Sequence, residues 1–362
     1  MATRLTLAQT CNARDCVKRL PVGSRRGTRA KIRAPVIPLL HYVTLVPSFV
    51  VHQLAAVLLP PYSGFSAVSL LSALFVAVGF TLLKRRPEKR NVKYRVMMRA
   101  LFPRWLYRNA SFKADVMFFL FNTLAFGALF GWAMFSSSYV STIVSVTLTD
   151  YLGARAGIGW NGFTGQSITT LAIFMAYELA YWLNHYLSHR VPLLWEFHKV
   201  HHTAEVLSPL TNFRVHPVYA IVFGNLVALF VGTTDGVLHY LKFGTPFGAG
   251  AGGNVVVLAF VWIIGHLQHS HLWIAATGPL GRVIVSPAHH QIHHSINPKH
   301  FNKNFGSSLA IWDWIFGTLH IPNRDREDLT FGVGSATPDH HTVVGGMLTP
   351  FAMAWRRLRA EP

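Results

Sequence analysis

Apolar positions in this chain come in long uninterrupted blocks. VMFFLFNTLAFGALFGWAMF (116–135) runs twenty residues without a charge, about the length that crosses a bilayer core of about 30 Å. AVSLLSALFVAVGFTLL (67–83) and NVVVLAFVWIIG (254–265) are blocks of the same kind. The pattern predicts an all-α integral membrane protein with four to six transmembrane or membrane-embedded helices. The blocks also pair. Segments 35–59 and 64–83 flank the turn-rich PPYSG (60–64) and read as a helical hairpin, its first arm kinked at Pro38 and Pro47. Segments 115–135 and 166–184 make a second hairpin around 136–165, whose Ser, Thr and Gly content reads as a loop. A third pairs 218–233 with 254–268 around the Gly-rich 247–253.

Charge orients these hairpins. The 362-residue chain carries a net charge of +19, which by itself would fit nucleic acid. Its distribution points elsewhere: residues 84–108, KRRPEKRNVKYRVMMRALFPRWLYR, hold ten Lys/Arg and one Glu between two apolar blocks. Such a segment stays on the cytoplasmic side and faces anionic headgroups. No helix-turn-helix, zinc-finger or RNA-recognition pattern accompanies the charge, so nucleic acid is excluded as a partner. Residues 1–34 are Arg-rich and nearly free of acid. They read as a basic, disordered cytoplasmic tail, with an organelle transit peptide as the alternative. With both basic segments on one side, the hairpins return 185–217 and 269–362 to that same face. The expected organisation is therefore a tail (1–34), transmembrane hairpins with a basic cytoplasmic segment (35–165), a functional domain (166–325) and a C-terminal cytoplasmic tail (326–362).

Cysteine contributes only Cys11 and Cys16, both in the tail. A disulfide framework or thiolate metal site is thereby excluded from the body of the chain. Histidine is the residue in excess: fifteen of twenty lie between 185 and 300. YELAYWLNHYLSHR (177–190) sets His185 and His189 four apart, on one face of a helix. WEFHKVHH (195–202) holds His198, His201 and His202, where spacings of three and four place His198 against both members of the pair. SPAHHQIHH (286–294) repeats the HxxHH spacing with His290, His293 and His294, and HLQHSHLW (266–273) adds His269. Metal sites take roughly four to six ligands each, so nine imidazoles suit two ions. Imidazole alone does not choose among Zn, Cu, Fe and Ni. HExxH and paired ExxH motifs are missing and no GxGxxG follows a strand, which removes zinc proteases, ferritin-like bundles and nicotinamide binding. A rival reading, a metal-binding or metal-transport protein without catalysis, expects histidines strung through the spans. The clusters here follow polar or basic stretches at span ends, which favours a fixed site.

Together HxxxH, FHKVHH, RVHP (214–217), HSH (269–271) and SPAHHQIHH followed by KNFGSSLAIWDWIFGT (303–318) resemble the fatty acid hydroxylase/sterol desaturase superfamily. The resemblance covers about residues 170–325 and is strongest to the bacterial branch. It implies a multi-pass membrane enzyme, of a bacterial inner membrane or the endoplasmic reticulum, with a cytoplasmic di-iron centre. With O2 such a centre hydroxylates or desaturates a C–H bond of a lipid. The implied ligands are His185, His189, His198, His201, His202, His269, His290, His293 and His294. His271 and His216 are weaker candidates for further ligation, while His266 and His289 are expected to be supporting or neutral. The resemblance also implies an external electron donor, a ferredoxin or a cytochrome b5-like protein. Glu178 and Tyr186 stand where the family often has Asp and Arg. Only fourteen acids exist in the chain, so those near the motifs attract attention. Glu178, Arg214, Asn304 and Asp313 are the expected supporting residues, with Asp313 preferred as the one that orients a histidine and Glu178 able to accept an imidazole N–H.

Overall fold

The computed structural model describes residues 39–85, 93–154, 160, 162–248, 253–334 and 341–360. The tail 1–34 with Cys11 and Cys16, and part of the basic segment, lie outside these. The described residues contain no β-strand, only two isolated bridges, Ile284 with Leu309 and Ser295 with Phe331. By its contacts the chain divides into Met1–Val46 and Pro47–Pro362. Of the first unit only the opening turns of α1 (Leu39–Leu58) are described.

Beyond Pro47, α2 (Ala67–Arg85) follows the expected turn, with the Ser66 hydroxyl accepting from Ser69 N at its start. Two short basic helices come next, α3 (Tyr94–Leu101) and α4 (Arg104–Arg108). Helix α5 (Ala110–Phe121) is capped by the Asn109 side chain and runs through a π-turn into α6 (Gly127–Phe130).

The stretch expected to be a loop, 136–165, departs from that reading, because Ser137–Leu152 form a helix, α7. Hydroxyl-rich sequence stays helical when its side chains return to the preceding turn. Here Thr142 and Thr149 donate to Ser138 O and Ser145 O at 2.9 and 2.8 Å. The partner surface also selects small residues. A Cβ at Gly232 would stand 2.6 Å from Ser137 O, so glycine on the neighbouring helix lets the two backbones meet.

That neighbour is α10 (Pro217–Tyr240), which also packs on α8 (Phe163–Arg190). Between them in the chain comes α9 (Pro192–His202), separated from the end of α8 by the single residue Val191 and with Pro192 in its first turn. The third apolar pair closes with α11 (Val255–Phe260), a π-turn and α12 (His266–Gln268). Short helices α13 (Gly278–Gly281), α14 (Pro287–His293) and α15 (Ile311–Ile315) carry the later motifs. Where a C-terminal tail was expected, Val343–Ala360 form a helix, α16, packed on α9 and α5.

Among the described residues three helical runs, Ala67–Lys84, Ala110–Leu152 and Pro217–Tyr240, are long and apolar enough to cross a membrane. The all-α, membrane-suited architecture thus agrees with the pattern of the sequence.

Candidate metal centre

Four elements deliver the histidines. The last turns of α8 carry His185 and His189; α9 carries His198, His201 and His202. His269 follows α12, and α14 carries His290 and His293, with His294 as its C-terminal cap. Pro287 opens α14, and Ser286 and His289 satisfy the free amides there as a reciprocal cap.

The nine side chains converge in two groups. His185, His189, His198, His202 and His293 form one; His201, His269, His290 and His294 form the other. Within each group the ligating nitrogens all lie within 4.8 Å of one another. The HxxHH motifs are therefore divided. His198 faces His202 but not His201, contrary to the expectation that it meets both. Helix α14 does the converse: His290 and His294 join the second group and His293 the first.

The nitrogens fit an ion. In the second group Nε2 of His269 lies 3.1 Å from Nε2 of His201, 3.1 Å from that of His294 and 2.9 Å from that of His290. In the first, His202 Nε2 stands 3.2 Å from both His189 Nε2 and His198 Nε2. An ion about 2.0–2.1 Å from each imidazole nitrogen brings neighbouring nitrogens to about 3 Å. Tautomers agree. His185 Nδ1 and His293 Nδ1 face carbonyl oxygens, Phe305 O at 2.9 Å and Lys303 O at 2.8 Å, so each must donate. That leaves the Nε2 lone pairs of both, buried and otherwise unpartnered, directed into the first group. Burial, reinforced by the neighbouring imidazoles, holds the set neutral: His201 is lowered to about 3. Burial likewise lowers His293 to about 4. A neutral imidazole is the ligating form.

The supporting residues act one step further out than expected. Asp313 touches no histidine. Its carboxylate accepts from Phe305 N and Gly306 N at 2.8 Å each, and from Trp182 Nε1 and Thr318 Oγ1. It orients His185 through the Phe305 carbonyl. Glu178, buried in α8, accepts from Ser308 N at 2.9 Å and Leu309 N at 2.8 Å, holding the same loop rather than an imidazole. Asn304, in the left-handed region at φ 59°, donates to His289 O and His320 O and accepts from His320 N.

Arg214 is fully buried. It donates from Nε to Asp115 at 2.7 Å and from Nη1 to Thr203 Oγ1 at 3.0 Å, the residue that ends α9. Asp115 also accepts from Thr211 Oγ1 at 2.7 Å. Sequence reasoning missed Asp115. Its signal was a lone acid heading the twenty-residue uncharged run in a chain with few acids.

His216 and His271 join neither group. His216 caps α10, its Nδ1 accepting from Val218 N and its Nε2 donating to Met347 O, while His271 Nε2 donates to Ala100 O. Backbone hydrogen bonds thus occupy both nitrogens of His216 and the Nε2 of His271. His289 likewise spends both nitrogens, on Ser286 and on Gly281 O, and His266 reaches Ser69 Oγ. A cavity of about 680 Å³ opens directly on His189, His202, His293 and His294. Trp195, Ile296, Phe301 and Met353 give it apolar walls, and Glu196, Lys199 and Arg357 stand at its polar side.

Comparison with known proteins agrees with this site. The family model described as fatty acid hydroxylase matches residues 170–318. Human alkylglycerol monooxygenase is 30% identical over 159 residues, which are 43% of this chain and 32% of that protein. An ornithine lipid hydroxylase of Rhizobium tropici is 29% identical over 150 residues, 41% of this chain and 40% of that protein. A very-long-chain aldehyde decarbonylase of rice is 28% identical over 143 residues, 39% of this chain and 21% of its own length. The chain thus spans well under half the length of these relatives, and no solved structure matches it. The matched segment runs from α8 through α15 and contains all nine converging histidines. Residues 170–318 are thus similar to the fatty acid hydroxylase family.

Proposed function

We propose that this chain is a membrane-bound, di-iron, O2-dependent oxidoreductase that hydroxylates, or desaturates, a C–H bond of a lipid. The observation that carries the reading is the pairing of two neutral imidazole groups with an apolar-walled cavity that opens on them. The names of the relatives, an alkylglycerol monooxygenase and an ornithine lipid hydroxylase among them, support a lipid as substrate. Iron held by the nine histidines would supply oxygen activation and removal of a hydrogen from an unreactive carbon.

The chain's own residues do the rest. The Phe305 and Lys303 carbonyls fix the ring orientation of His185 and His293 and keep their Nε2 atoms unprotonated. Trp195, Ile296 and Phe301 pack an acyl chain or ring and exclude water from the reacting carbon. Electrons come from a separate donor, a ferredoxin or cytochrome b5-like protein, that docks on the basic face. That face is cytoplasmic in this reading. The bond from His271 to Ala100 O in α3 supports it, since it ties the basic segment to the loop that carries His269.

Metal analysis of the purified chain, with oxygen uptake in the presence of membrane lipid and a reductant, tests the proposal. Two irons per chain and lipid-dependent uptake are expected; freely exchangeable zinc without turnover would refute it. Comparing membrane lipids with and without the gene, for a gain of one oxygen or a loss of two hydrogens, identifies the reaction.

A further inference from the structure

Helix α16 presents three different faces. One is fastened to the body of the chain. Arg357 pairs with the buried Glu196, the His216 ring donates to Met347 O, and a Cβ at Gly346 would stand 2.5 Å from the Phe118 ring. A second face is apolar and, among the described residues, largely exposed, with only Phe351 also packing on Phe197 and His216. Val344, Leu348, Phe351, Trp355 and Leu358 are 68, 63, 52, 55 and 56% exposed. Their spacing of four, three, four and three puts them in a single stripe along the helix. Arg356 and Arg359 border that stripe, with the Arg359 guanidinium 4.6 Å from the Trp355 ring centroid. No acid occurs in Val343–Ala360.

We infer that α16 is an interfacial helix whose exposed stripe is seated in the headgroup–acyl boundary of a bilayer carrying anionic lipid. Three observations select this occupant. First, α16 is not among the runs able to cross a membrane, so its apolar stripe is not a span. Second, it is fastened where two such runs begin: Phe118 lies early in Ala110–Leu152, and His216 caps Pro217–Tyr240. This places it at the boundary rather than out in water. Third, an apolar stripe edged by arginines, with a tryptophan among its members and no acid, is complementary to acyl chains below and anionic headgroups beside them. The inner face carries Met353 and Arg357 into the wall of the cavity at the histidine groups. One helix therefore bounds both the bilayer surface and that cavity. The inference does not depend on the reaction proposed above.

The test uses the full chain with Cys11→Ser and Cys16→Ser, reconstituted in phosphatidylcholine vesicles with and without phosphatidylglycerol. Nitroxide labels are placed singly at Leu348→Cys, Trp355→Cys and Arg356→Cys, and depth is read from collisions with oxygen and with a water-soluble nickel chelate. Labels at 348 and 355 are expected about 5–10 Å below the phosphate level, with the label at 356 in contact with the chelate. In phosphatidylcholine alone, the first two should become shallower as the arginines lose their partners. Chelate contact at 348 and 355 equal to that at 356 would overturn the inference. So would protection from both quenchers with spin broadening that unlabelled chain dilutes away, which would mean a second copy covers the stripe. Equal depth with and without phosphatidylglycerol would remove the anionic lipid from the proposal. If labelled variants fail to elute as the parent does, Trp355→Phe decides. Acyl-brominated lipid should quench less of the total tryptophan emission in that variant than in the parent; an unchanged quenched fraction would refute the inference.

Discussion

Asp115→Asn tests how strongly the centre depends on a residue that no histidine touches. Asp115 and Arg214 are both fully buried and 2.7 Å apart. The amide keeps the size of the side chain and an acceptor oxygen, so Thr211 retains a partner and the cavity term is negligible. What changes is charge: the Arg214 guanidinium is left buried without its counter-ion. Breaking a buried pair in this way costs about 3–5 kcal/mol, a large share of a folding free energy of about 5–15 kcal/mol. An exposed pair would lose less than about 1 kcal/mol. Unfolding by denaturant in detergent micelles distinguishes these ranges. The double variant Asp115→Leu/Arg214→Met should recover about half the loss or more, because it removes the orphaned charge. Arg214 also holds Thr203 at the end of α9, so bound metal per chain should fall in Asp115→Asn even at low temperature where it stays folded. A loss below about 1 kcal/mol with full metal content would refute the reasoning.

Three further outcomes follow from the site. His293→Ala removes an Nε2 aimed into the first group and should lower both metal content and product; retained activity would take His293 out of the ligand set. At Gly306 a Cβ would stand 2.3 Å from Leu309 O. Gly306→Ala should therefore displace the loop that anchors His185, at a cost of about 1–3 kcal/mol, and unchanged unfolding would disprove the tight approach. His216, lowered to about 4 by burial, ties pH to stability. The unfolded chain protonates it near 6.5 while the folded chain does not, so stability is full above about 6.5 and is lost as pH falls toward 4. His216→Asn should reduce the loss between pH 7 and pH 5 by about 2 kcal/mol; equal losses in both chains would contradict it.

The parts of this site that are legible in the sequence are those set by short spacings. His185 with His189, and each HxxHH, announce themselves because three- and four-residue steps share a helix face. Long apolar blocks announce the spans for a similar reason, through length alone. Contacts that close across the chain leave no such trace. Arg214 and Asp115 are ninety-nine residues apart, and no local rule pairs them. Asp313 looked like a histidine partner because acids are rare, but its carboxylate serves two loop amides and reaches His185 only through the Phe305 carbonyl. Helix α7 was hidden by its Ser and Thr content, since hydroxyls mark loops when they compete with the backbone and are tolerated in helices when they bond one turn back.

The division of each HxxHH motif between two groups is the feature that makes this a paired centre rather than two separate sites. On a helix of about 3.6 residues per turn, the fourth residue onward falls about 40° from the first and the third about 60° to the other side. His201 therefore lies about 60° from His198 and about 100° from His202, and His293 stands in the same way to His290 and His294. Helices α9 and α14 each stand between the groups and serve both, with His202 and His294 stacked at 4.5 Å between ring centroids. Rotating or withdrawing either helix would disturb both groups together. The spacing between the two histidine groups is consequently set by helix geometry inside two short elements. The loop that Glu178 and Asp313 hold keeps those elements in register by fixing His185 against one of them.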